Sequence, residues 1–130
     1  MEILVGYNGS AASNAALDLA KDYAKAFQAK VYLVTSMEGG SREKIETVRK
    51  AEQELAAAQK MLEAEGLVCE IHQMARGMTP GEDLVKFAKD KAVDHIFAGV
   101  EKKSKTQKLL LGSTAQFLIL KAPCPVTTTK

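Results

Sequence analysis

The chain has 130 residues, 46% hydrophobic and 26% charged, and its 18 basic and 16 acidic side chains leave a formal net charge of +2. That length and apolar share suit one domain with a core of its own. The small net charge and 5% aromatic content speak against a nucleic-acid partner, which needs a broad basic face or stacking rings.

The first apolar run, Ile3-Leu4-Val5, follows the acidic Glu2 and is too short for a leader or a membrane span. The expected location is therefore the cytoplasm, with no membrane partner. From Glu2 to Tyr7 a strand is predicted. Ser10 then stands where a helix N-cap belongs, and Ala16, Ala20, Tyr23 and Phe27 follow at spacings of four and three. Lys30 to Thr35 reads as a second strand. Gly39 and Gly40 break the chain, Ser41 can cap, and Val48, Ala51, Leu55, Ala58 and Leu62 recur at helical spacing until Gly66. That stripe spans only two to three heptads, so it is read as packing on a sheet and not as a coiled-coil seam.

A third strand runs from Leu67 to Met74, where Cys69 and Ile71 alternate with Glu70 and His72, as on an edge with one wet face. Thr79-Pro80 is a helix start with proline at the first helical position, and that helix carries Leu84, Phe87 and Ala88 to about Ala92. Val93 to Gly99 is a fourth strand. A last helix from Ser113 to Lys121 stops at Ala122-Pro123, and Val126 to Thr129 forms a short fifth strand.

Strands alternating with helices make an α/β fold on a parallel sheet. The near-continuous apolar runs Ile3-Leu4-Val5, Val31-Tyr32-Leu33-Val34 and Ile96-Phe97-Ala98 place strands one, two and four inside it. With right-handed crossovers, the order is 3-2-1-4-5 and helices cover both faces. The topological switch falls between strands one and four, where ligands of open α/β sheets bind. Two segments meet there, Gly6-Tyr7-Asn8-Gly9-Ser10 and residues 99–114, "GVEKKSKTQKLLLGST".

No Walker sequence and no GxGxxG is present. The second segment is a connection of about 13 residues, longer than the two to six usual in such units. Gly112 permits close approach, and Ser113 and Thr114 open a helix whose free N–H groups and dipole attract anions. Ser113 is equally an ordinary N-cap, and Lys102, Lys103, Lys105 and Lys108 are equally a solvated charge run. His72 and His95 lie in predicted strands without Asp or Cys in ligand spacing and are read as hydrogen-bonded, not as metal ligands or bases. Cys69 and Cys124 form no CxxC pair and are read as reduced thiols. GxSxG is absent, and no catalytic constellation is visible. An enzyme is not expected. The short last strand, with one free edge, invites pairing with a second copy of the chain.

Four segments together resemble the universal stress protein family: "ILVGYNGSAASNAA" from Ile3, "RGMTPGEDLVKFA" from Arg76, "DHIFAG" from Asp94, and "LLLGSTAQFLILKAPCPV" ending at Val126. The resemblance implies the same 3-2-1-4-5 sheet, a homodimer, and a stress-related regulatory role. One subset of the family binds ATP at the switch and another binds no nucleotide. The ATP-binding subset carries Gly, two residues, Gly, nine residues, then Gly and Ser or Thr. Gly99, Gly112 and Ser113 match that spacing, while Lys102 stands at the middle glycine and Asn8 at the family's usual aspartate. The implied ligand is ATP or another adenine nucleotide such as AMP, with Mg only alongside it. Its base would lie near Asn8 and Ser36 and its phosphates near Gly112, Ser113 and Thr114, with Tyr7, Gly99 and Lys102 as further candidate nucleotide-binding residues and slow ATP hydrolysis left open. The alternative is a dimeric interaction module of the same fold that binds no nucleotide.

Overall fold

The computed structural model describes residues 1–40, 43–100 and 112–130. In chain order its elements are β1 (Glu2–Gly6), α1 (Ala11–Phe27), β2 (Lys30–Ser36), α2 (Ile45–Ala64), β3 (Cys69–Met74), α3 (Pro80–Lys91), β4 (His95–Gly99), α4 (Ser113–Lys121) and β5 (Val126–Thr129). The five strands form one sheet in the order β3-β2-β1-β4-β5. Every neighbouring pair is parallel, so the order expected from the apolar runs is the order observed.

Local chemistry fixes most helix ends. The Ser10 hydroxyl accepts from the Ser13 N–H at 3.2 Å, the Thr79 hydroxyl accepts from the Glu82 N–H at 3.3 Å, and Pro80 opens α3; each cap satisfies a donor with no partner inside its helix. Strands β3 and β4 begin two residues later than expected for a related reason. The Leu67 N–H bonds the Leu62 carbonyl and the Val93 N–H bonds the Ala88 carbonyl, so both residues still belong to the turns that end the preceding helices.

Two caps differ from expectation. The cap of α2 falls on Lys44, extended and without a side-chain bond, and not on Ser41, which lies outside the described residues. α4 begins at Ser113 as expected, but its cap falls on Gly112, so Ser113 is not the N-cap.

Alternation along the central strands builds a core on each face of the sheet. Ile3, Val5, Val31, Leu33 and Phe97 pack with α1 and α2 residues such as Leu17 and Leu55. Leu4, Tyr32, Val34, Ile96 and Ala98 pack with Leu84 and Phe87 of α3 and Leu118 of α4. Full burial of each such large side chain contributes about 1.5–3 kcal/mol. The register extends β2 through Ser36, opposite Met74, so its carboxyl end stands beside those of β1 and β4. Among the described residues no helix is long and apolar enough to cross a membrane.

The histidines have ordinary neighbours. His72 Nε2 lies 2.7 Å from Glu70 Oε1, and His95 Nε2 lies 2.7 Å from Thr127 Oγ1. Burial pushes the His95 pKa down. Both cysteines are free, and burial raises the Cys69 thiol to about 12, which leaves it unreactive at neutral pH.

Candidate functional site

A cavity of about 240 Å³ opens beyond the carboxyl ends of β2, β1 and β4, at the switch point. Gly6, Val34, Ser36 and Ala98 come from the strand ends, and Pro80 and Leu84 of α3 form an apolar wall. At the β4 end it is bounded by Gly112, Ser113, Thr114 and Ala115, the start of α4. Tyr7, Asn8 and Gly99 also border it, so the structure brings together every sequence-predicted site residue except Lys102, which lies outside the described residues.

Their roles differ. Asn8 shapes the β1–α1 turn: its Oδ1 accepts from the Ser10 N–H at 3.0 Å and its own N–H donates to Ser13 Oγ at 3.4 Å. Gly9 follows at φ 79°, and a side chain there would also run into the Glu54 carboxylate, so the turn requires glycine. Tyr7 borders the cavity, but its ring packs on the core under α1 and α2, and its hydroxyl donates to Asn14 Oδ1 at 2.9 Å. Burial, aided by the nearby Glu54 charge, raises the phenol pKa. Strand parity carried this signal, because Tyr7 continues the face of Ile3 and Val5. Gly99 has a packing duty as well: a Cβ there would stand 2.4 Å from the Ala12 carbonyl carbon and 2.6 Å from the Ser13 nitrogen. Its lack of a side chain lets the first turn of α1 lie against the end of β4.

Three helix starts border the cavity, through Ser10 and Ser13 for α1, Pro80 for α3 and Gly112 to Ala115 for α4. Only two have side-chain caps. The start of α4 has none, and its first intrahelical bond runs from the Gln116 N–H to the Gly112 carbonyl at 3.1 Å. The N–H groups of Ser113, Thr114 and Ala115 precede that bond and have no acceptor within the helix. They sit at the positive end of the α4 dipole, the arrangement that holds an anion.

One element of the site escaped the sequence reading. Asp83, in the first turn of α3, is 0% exposed. Its Oδ1 accepts from Arg76, including Nε at 2.7 Å, and its Oδ2 accepts from the Ser36 hydroxyl at 2.7 Å. In sequence Asp83 looks like an acidic residue complementing a helix dipole, and nothing local signals a partner 47 positions away. Among the described residues no group of three or more His, Cys, Asp or Glu side chains could hold a metal ion.

A sequence profile described as the Universal stress protein family matches residues 1–130. The chain belongs to that family. Universal stress protein MJ0531 of Methanocaldococcus jannaschii is 33% identical over 141 residues, spanning 99% of this chain and 81% of that protein. A universal stress protein from Archaeoglobus fulgidus is 36% identical with a TM-score of 0.89, covering 100% of this chain and 98% of that one. The universal stress protein from Archaeoglobus fulgidus in complex with dAMP is 32% identical with a TM-score of 0.83, again covering 100% and 98%.

Proposed function

We propose that this universal stress protein is a regulatory protein that binds an adenine nucleotide at the sheet switch, with phosphate on the N-terminus of α4. The observation that carries the reading is the uncapped start of α4 facing the cavity, while α1 and α3 use Ser10 and Thr79 as caps. An anionic phosphate there meets unpartnered donors at no cost to the helix. The dAMP complex of a relative 32% identical over the whole chain supports adenosine monophosphates as the first ligands to try. ATP extends the same site by further phosphates, and Mg would enter only with them.

Ser113→Pro tests the phosphate position with little risk to the fold. Proline is favoured at the first helical position, and Gly112 already has the extended backbone (φ −58°, ψ 152°) that precedes proline. The substitution removes one donor and the hydroxyl at the mouth. With hydrogen bonds to charged groups contributing about 1.5–3 kcal/mol, calorimetric affinity for AMP is expected to fall about tenfold or more while the melting temperature holds. Unchanged affinity would remove the start of α4 from the site.

The chain is also proposed to form a homodimer through β5. Its carbonyls at Pro125 and Thr129 accept from β4, so by alternation the Val126 and Thr128 backbone groups point to the open edge. Thr128→Pro removes an outward N–H and leaves the β4 ladder intact. Light scattering should show a dimer for the parent and a monomer for this variant. A variant that stays dimeric would place the interface on another surface.

A further inference from the structure

We infer that Asp83 fixes the hydrogen-bond polarity of Ser36, so that the β2 end of the cavity accepts but does not donate, and thereby selects a base with an amino group over one with a keto group. The inference rests on the nucleotide reading above and adds to it the group that chooses the base. A nucleoside monophosphate holds its base and phosphate at opposite ends of the sugar. With the phosphate at the α4 end, the base faces β2.

Ser36 shares a sheet face with Tyr32 and Val34, the face covered by α3 and α4. It lines the cavity beside Val34, Pro80 and Leu84, whose apolar surfaces suit the flat faces of a purine. A hydroxyl has one hydrogen to give. Ser36 gives it to Asp83 Oδ2 at 2.7 Å. Asp83 is buried and paired with Arg76 through Oδ1, so as a carboxylate it can only accept. The lone pairs of Ser36 are what remains for a ligand. The 6-amino group of adenine can donate to them, whereas the 6-keto oxygen of hypoxanthine or guanine meets an acceptor with an acceptor. Asp83 is thus a positioning residue and Ser36 the group that meets the base.

Substitution can invert this polarity. In Asp83→Asn, Arg76 still requires an acceptor, so the amide oxygen turns to Arg76 and the amide NH₂ faces Ser36. Ser36 then accepts from Asn and gives its hydrogen to the cavity. Calorimetric titration of the parent, Asp83→Asn and Ser36→Ala with AMP and with IMP reads this out, with circular dichroism confirming that each variant is folded. The parent is expected to prefer AMP over IMP by about two- to tenfold or more, the range of one neutral hydrogen bond. Asp83→Asn should shift the preference towards IMP, and Ser36→Ala should bring the two affinities together. A merely structural role for Asp83 would weaken both nucleotides alike. Should Asp83→Asn fail to fold, the Ser36→Ala ratio decides. Failure of the parent to bind either nucleotide overturns the nucleotide reading and this inference with it. Binding of AMP with an AMP-to-IMP ratio unchanged in the folded variants overturns this inference alone.

Discussion

Gly99→Val is expected to lower the unfolding free energy by about 3 kcal/mol or more, read as a large drop in the urea midpoint, and to abolish nucleotide binding together with stability. The atoms that a Cβ would strike at 2.4 to 2.6 Å are backbone atoms of Ala12 and Ser13, fixed by the first turn of α1, so no rotamer change relieves the clash. The whole helix start must lift from β4. That movement would also break the bond from Thr129 Oγ1 to the Ala12 carbonyl at 3.0 Å, which ties β5 to α1. Gly6 gives the contrast. A Cβ there meets the end of the Leu84 side chain at 3.1 Å, which can turn aside, so Gly6→Ala should cost much less.

Arg76→Ala is expected to destabilise by about 3 kcal/mol, at the low end of the 3–5 kcal/mol for breaking a buried pair. The low end applies because the Arg76 side chain is 38% exposed and its removal opens a path for water. What remains is a carboxylate at 0% exposure whose second oxygen accepts from the Ser36 hydroxyl. The comparison is Lys25→Ala, which breaks an ion pair whose side chains are 49% and 40% exposed. Water screens that pair and re-solvates Glu65, so the midpoint should barely move. Equal shifts in the two variants would contradict the structural weight given to Asp83.

The fold was legible because its determinants are local or periodic. The apolar runs in β1, β2 and β4 exist because both faces of those strands are covered, and Cys69 and Ile71 alternate with polar neighbours because β3 has an open edge. Ser10 and Thr79-Pro80 announce helix starts by chemistry that acts within three residues. The bounds of α4, Ser113 to Lys121, were legible as well, but its cap was not, since Ser113 has the better capping side chain and only backbone geometry places the cap on Gly112. For the site, adjacency of residues 6–10 to Gly99 and Gly112 followed from strand order alone. The direction of the Tyr7 ring followed from strand parity and was missed. The Ser36–Asp83–Arg76 network was not legible at all. It depends on the carboxyl end of β2 meeting the first turn of α3, a tertiary contact with no short-range pattern.

The most direct measurement is a titration of ¹⁵N-labelled protein with AMP and, separately, with adenosine, followed through backbone amide resonances. With phosphate seated on the open start of α4, AMP should move the Ser113, Thr114 and Ala115 amides most strongly, and adenosine should leave them nearly still while perturbing the Ser36 end of the cavity. Amides at the start of α4 that stay in place under AMP, or that respond equally to adenosine, would contradict nucleotide binding at this site.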